Sequence, residues 1–149
     1  MTIGTICTRE TVIAKKDNTI VEVAKLMRQH HVGDIVVIKE SEGENIPVGI
    51  VTDRDLVIEI LAQELSPDTV TVGDIMSYEI VTARDDEGIW DTLQKMRAKG
   101  VRRMPIVNQR GGLVGIVTLD DLLELLTDEL AGLAKIISRE QERERTARK

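Results

Sequence analysis

An internal repeat restricts what this chain can fold into more than any other property. The stretch TVIAKKDNTIVEVAKLMRQHHVGDIVVI, starting at Thr11, lies without a gap over IVTARDDEGIWDTLQKMRAKGVRRMPIV, starting at Ile80. Val12, Ala14, Asp17, Ile20, Met27, Arg28 and Val32 meet Val81, Ala83, Asp86, Ile89, Met96, Arg97 and Val101. After a loop that is longer in the first copy, GIVTDRDL from Gly49 lies over GIVTLDDL from Gly115. Similarity at this period means two copies of one supersecondary unit, each too small to bury its apolar face alone.

Each copy reads as β-α-β-β-α. A short strand is expected around Val12 and Ile13, and again around Val81 and Thr82. A helix follows whose apolar residues recur at Ile20, Val23, Ala24 and Met27, or at Ile89, Leu93 and Met96. Thr19 followed by Glu22 is a capping-box start for the first of these helices. The apolar runs 35–38 and 104–107, then 48–51 and 114–117, suit strands covered on both faces. Polar, turn-rich loops join them as hairpins. A second helix opens at Thr52 or Thr118. The expected fold is α+β: two β-α-β-β-α units packed as a pseudo-twofold pair, with a C-terminal helical extension. The expected divisions are 1–65, 66–128 and 129–149, the last ending in the charged SREQERERTARK.

Composition narrows the function classes. A net charge of −6 disfavours a nucleic-acid backbone or an anionic membrane as the main partner. The single Cys7 cannot form an intramolecular disulfide or a multi-cysteine zinc site, and it reads as a buried thiol in a reducing compartment. MTIGTICTRE has no secretory pattern and no apolar run approaches ~18 residues, so a soluble, cytoplasmic protein is expected. Phe is absent and only Trp90 and Tyr78 are aromatic, which leaves no stacking platform for single strands.

Candidate chemistry sits where the last strand of each copy turns into a helix. A helix N-terminus offers unpaired N–H groups and a positive dipole end to a phosphate, and Thr52 or Thr118 adds a hydroxyl. Asp55 or Asp121, one turn in, can accept from ribose hydroxyls. Thr-x-x-Asp is equally an ordinary helix cap, and Thr71 with Asp74 supplies that spacing with no GIV strand before it. Gly49 and Gly115 remove side-chain bulk beside the motif. His30 and His31 close the first helix. Adjacent helical residues diverge by about 100°, so a favourable charge at the helix C-terminus suits them better than metal binding.

Two β-α-β-β-α copies, each ending in GIVTxxDL, with VRRMPIV in the second, resemble a tandem pair of cystathionine-β-synthase (CBS) domains, a Bateman-type module, over about residues 3 to 127. The resemblance implies clefts that bind AMP, ADP, ATP, NAD or S-adenosylmethionine, with no catalytic cofactor and with magnesium only as a companion of the nucleotide. It implies ribose and phosphate contacts from Thr52, Asp55, Thr118 and Asp121. Adenine would be lined by Val12, Ile13, Ile35, Val81, Thr82, Met104 and Pro105, each of which is equally suited to core packing. Arg102 and Arg103 resemble positions that reach phosphate, with plain surface charge as the alternative. The first copy has Gly33 and Asp34 there, so the two clefts are expected to differ.

The family further implies a face-to-face C2 homodimer and a regulated partner protein. The expected function is a stand-alone regulatory sensor of adenine nucleotides. A structural adaptor with unoccupied clefts is the alternative. Catalysis ranks last, because no paired acid and base recurs with the motif.

Overall fold

The computed structural model describes residues 1–148. The chain forms two compact units, Met1–Val117 and the segment from Thr118 onward. In order along the chain the first unit holds α1 (Ile3–Ile6), β1 (Ile13–Lys15), α2 (Ile20–His30), β2 (Asp34–Ser41), β3 (Glu44–Thr52) and α3 (Asp53–Leu56). A π-helical turn, Val57–Leu61, follows, then α4 (Val72–Ile75), β4 (Ala83–Arg84), α5 (Ile89–Lys99), β5 (Arg103–Val107) and β6 (Leu113–Thr118). The long helix α6 (Leu119–Ala147) makes up the second unit.

Each repeat supplies one three-stranded sheet, ordered β1-β2-β3 and β4-β5-β6. β1 runs parallel to β2 and β4 parallel to β5, while β2 and β3 form an antiparallel hairpin. Residues 35–38 are all buried, as a strand covered on both faces requires. Their alternation explains it: Ile35 and Val37 join one apolar cluster with Ile20, Val23, Met27 and Ile60, whereas Val36 and Ile38 face a second with Ile116 of the other repeat. The core is therefore built almost wholly from Ile, Val, Leu and Met.

Local signals behave as their chemistry dictates. Thr19 and Glu22 make a reciprocal capping box at the start of α2. That helix stops at His31, which takes left-handed geometry at φ 53°, and α5 stops at the equivalent Gly100 with φ 65°. His31 thus occupies a position that its counterpart fills with glycine. The hairpin loop is shorter than its polar composition suggests. The strands run on to Ser41 and from Glu44, leaving a two-residue turn, Glu42 and Gly43, both at positive φ.

The first strand of each repeat begins later than the apolar pattern indicates. Parallel pairing starts at Ile13 opposite Val36 and at Ala83 opposite Ile106, so Val81 and Thr82 precede the ladder. The repeat also reaches further back than Thr11. Thr2, Ile3 and Gly4 correspond to Thr71, Val72 and Gly73, and both segments form a one-turn helix.

These leading segments are exchanged. Thr8 donates to and accepts from Ile116 at 2.9 Å each, while Ser77 and Ile50 exchange bonds of 3.1 and 3.3 Å. The leader of each repeat therefore pairs with the last strand of the other. Gly115 lies under that crossing, where a Cβ would meet the Thr8 carbonyl oxygen at 2.5 Å, and at Gly49 a Cβ would meet the Ser77 carbonyl oxygen at 2.8 Å. The two glycines are needed for this close backbone approach.

Candidate functional site

The segment upstream of β4 and the start of β5 line a half-open cavity of about 270 Å³ within the first unit, just below the roughly 300–1,000 Å³ that small-ligand pockets occupy. Its apolar wall comes from Ile80, Val81, Val101 and Pro105, joined by Ile50 from the first repeat. Ser77, Glu79, Arg102 and Arg103 supply its polar groups. Because β4 starts only at Ala83, Ile80 and Val81 are free of the ladder and can line this space. Apolar lining beside two guanidinium groups can accommodate an apolar group that carries an anion.

Four residues expected from the sequence therefore meet at one cavity: Val81, Arg102, Arg103 and Pro105. Thr82 lines a neighbouring space with Val81 and Lys99. Val12 and Ile13 line the matching space in the first repeat, where Glu10, Thr11, His30 and Val32 replace Glu79, Ile80, Lys99 and Val101. Ile35 and Met104 are fully buried core side chains and line none of these cavities.

The sequence motifs do not point to Thr11, yet its hydroxyl oxygen is buried without a hydrogen-bond partner among the described residues. Glu79, Ser77 and Ile50 were missed too. Carrying the repeat alignment back to Thr2 and Thr71 brings Glu10 over Glu79 and Thr8 over Ser77, a signal legible in the sequence.

Thr52 and Asp55 form a closed capping box. The Asp55 amide donates to Thr52 Oγ1 at 3.2 Å, and the Thr52 amide donates to Asp55 Oδ2 at 2.9 Å. Thr118 and Asp121 repeat it at the start of α6, at 3.2 and 3.1 Å. The Thr71 amide likewise donates to Asp74 Oδ2 at 3.0 Å, so cap geometry alone does not separate a binding motif from a structural one. In both GIVT copies the cap occupies Oδ2. The second carboxylate oxygen makes no hydrogen bond among the described residues and can accept from a ribose hydroxyl.

Electrostatics distinguish the two repeats. Asp34 and Arg103 are equivalent positions, and they meet across the pseudo-twofold relation with Oδ1 and Nε 3.8 Å apart. Arg103 Nε is buried and lacks a hydrogen-bond partner among the described residues. Burial pushes the Asp34 carboxyl above the ordinary carboxylate range, and Asp53 adds to that rise while Arg103 opposes it. Asp53 also crowds the first-repeat cleft, since a Cβ on Gly33 would stand 3.0 Å from its Oδ2. Asp34 and Asp53 thus stand at positions that the sequence of the other repeat fills with Arg103 and Leu119.

Comparison with known proteins settles the family. The CBS domain model matches residues 3–62 and 72–128. This is a CBS-domain protein. The tandem CBS pair is 38% identical over 125 residues to an uncharacterized Methanopyrus kandleri protein, covering 84% of this chain and 62% of that one. It is 37% identical to the CBS domain-containing protein YhcV of Bacillus subtilis, covering 85% and 87%. The CBS pair therefore spans less than two thirds of the first relative but most of the second.

Among solved structures, the CBS domain pair of MJ0100, in complex with 5-methylthioadenosine and S-adenosyl-L-methionine, superposes with a TM-score of 0.73 at 26% identity, covering 87% of this chain and 98% of that one. The cytosolic domain of the Mg2+ channel MgtE, in complex with ATP, gives a TM-score of 0.70 at 27% identity, covering 83% and 48%. Among the described residues, no group of three His, Cys, Asp or Glu is placed to hold a metal ion. No described helix is long and apolar enough to cross a membrane.

Proposed function

We propose that this CBS pair is a regulatory module that binds an adenine nucleotide in the cavity beside β4 and β5 and performs no chemistry of its own. The observation that carries the reading is the apolar slot of Val81, Val101 and Pro105 with Arg102 and Arg103 at its edge. Thr52, Asp55, Thr118 and Asp121 act as ribose and phosphate contacts, on the strength of their duplicated GIVT context. Ligand complexes of MJ0100 and MgtE support this ligand class. A magnesium ion enters only with the phosphates.

Regulation follows from differential affinity: a ligand that grips one arrangement of the repeats better than another shifts their populations, and one that binds both equally regulates nothing. The reader of that shift is a partner protein in the cytoplasm. The C2 homodimer uses exposed apolar side chains of the repeats, among them Val57, Leu61 and Trp90.

Calorimetric titration of ligand-stripped protein with AMP, ATP, NAD and S-adenosylmethionine tests the reading. Saturable binding of one of them, weakened by Arg103→Ala, is the expected result. Absence of binding by all four would overturn it and leave the adaptor reading.

A further inference from the structure

α6 carries an apolar seam that is largely exposed, with Leu119 and Leu126 half-buried. Leu119, Leu123, Leu126, Leu130, Leu133 and Ile137 follow one another at alternating steps of four and three. That 3.5-residue period keeps them on one stripe of a helix and is the sequence signature of a coiled-coil interface. Leu123, Leu130, Leu133 and Ile137 are 53–66% exposed, and Ile136 beside them is 60% exposed. Solvent-facing leucines at single positions are ordinary, but a continuous periodic row of them marks a contact surface.

Charge along the same helix identifies the occupant. From Leu119 to Glu129 there are five acids, Asp120, Asp121, Glu124, Asp128 and Glu129, and no base. From Lys135 to Arg148 there are five bases against Glu140, Glu142 and Glu144. Such a helix is complementary to an inverted copy of itself. Parallel pairing would lay acidic half beside acidic half, while antiparallel pairing sets acid against base and opposes the two helix dipoles.

We infer that α6 is a self-association element that pairs with α6 of a second copy as an antiparallel two-stranded coiled coil, independently of any nucleotide. An antiparallel a-to-d register that sets Leu126 against Ile137 and Leu130 against Leu133 of the other copy fills the centre of the seam with apolar layers and brings Asp120, Glu124 and Asp128 level with Arg143, Arg139 and Lys135. This contact is separate from the apolar faces of the repeats. Where both operate, the assembly is larger than a dimer.

Two measurements on the full-length protein decide the matter. Sedimentation equilibrium should show that Leu130→Glu with Leu133→Glu lowers the association state by one twofold step, each buried charge weakening it at least about tenfold. Circular dichroism should show the fold retained, since both side chains are exposed. Spin labels at Thr146→Cys, in a Cys7→Ala background, should lie roughly 40–55 Å apart, from a 1.5 Å rise per residue on each side of the seam centre. Parallel pairing would bring them within about 20 Å, since helix axes in contact lie 8–10 Å apart. A short label distance, or an association state unchanged by the double substitution, would overturn the inference.

Discussion

Asp34→Asn isolates the interaction that sets the two repeats apart. In the wild type the Asp34 carboxylate lies 3.8 Å from Arg103, with the side chains 22% and 35% exposed, so on the proposed reading an incoming phosphate competes for that guanidinium. At that separation, an effective dielectric near 20 gives about 4 kcal/mol of attraction before any desolvation cost. Partial exposure and a separation beyond hydrogen-bond length reduce this to about 1 kcal/mol, the upper part of the range for solvent-accessible pairs. Removing the competitor should therefore tighten AMP binding about fivefold and leave adenosine unchanged. Paired calorimetric titrations of the two ligands read out the difference. Equal changes for AMP and adenosine, or none for AMP, would refute the assignment of Arg103 to phosphate.

The same substitution carries a stability prediction of definite sign. Burial raises the Asp34 carboxyl's pKa in the fold above its unfolded value, so its contribution is fully present below the unfolded pKa and is lost as pH rises through the folded one. At neutral pH the ionised carboxylate is a handicap. Asp34→Asn should melt no lower than wild type near pH 7, and that advantage should vanish in acid, below about pH 4.

Asp121→Ala and Asp55→Ala should each weaken nucleotide binding by about 1.5–3 kcal/mol, the scale of a hydrogen bond to a charged group. Asp74→Ala, which removes a matching cap outside a GIVT context, should cost comparable stability while leaving affinity intact; a loss of affinity with Asp74 would show that the motif acts through folding alone. Gly115→Ala drives a Cβ toward the Thr8 carbonyl and should lower stability by about 1–3 kcal/mol in thermal unfolding. At Glu87, burial acts upward, but hydrogen bonds from Lys95 and the Arg84 backbone with their charges outweigh it and hold the carboxyl below its usual range. Its stabilisation is present above the unfolded pKa and lost as pH falls through the depressed one, so Lys95→Met should flatten the acid limb of the stability curve.

The repeat made the α+β fold and the β-α-β-β-α succession of each copy readable, because gapless similarity between two stretches forces them into the same local structure. Helix starts at Thr19, Thr52 and Thr118 were equally legible, since a capping box is local chemistry. The starts of β1 and β4 were less so: the apolar pattern marks Val12 and Val81, but ladder register is fixed by β2 and β5, which are distant in sequence. The π-helical turn at Val57–Leu61 has no periodicity signal of its own. At the candidate site, Arg102, Arg103, Val81 and Pro105 could be named through the family resemblance, whereas Ile50 reaches the same cavity only through tertiary crossing. The Asp34 contact was hidden for the same reason. Two equivalent positions meet only where a twofold relation passes between them, and that is a property of packing.

The exchanged leaders carry a consequence for ancestry. A protein ending after Thr52 would present an unfilled strand edge at Ile50, and its own Thr8 segment would have no Ile116 on which to settle. Two such half-length chains could satisfy each other reciprocally, each lending its leader to its neighbour's last strand. Gene fusion would then have converted a swapped homodimer into one polypeptide, freeing the two halves to diverge. Asp34 and Arg103 fit that history, as equivalent positions that now set an acid against a base.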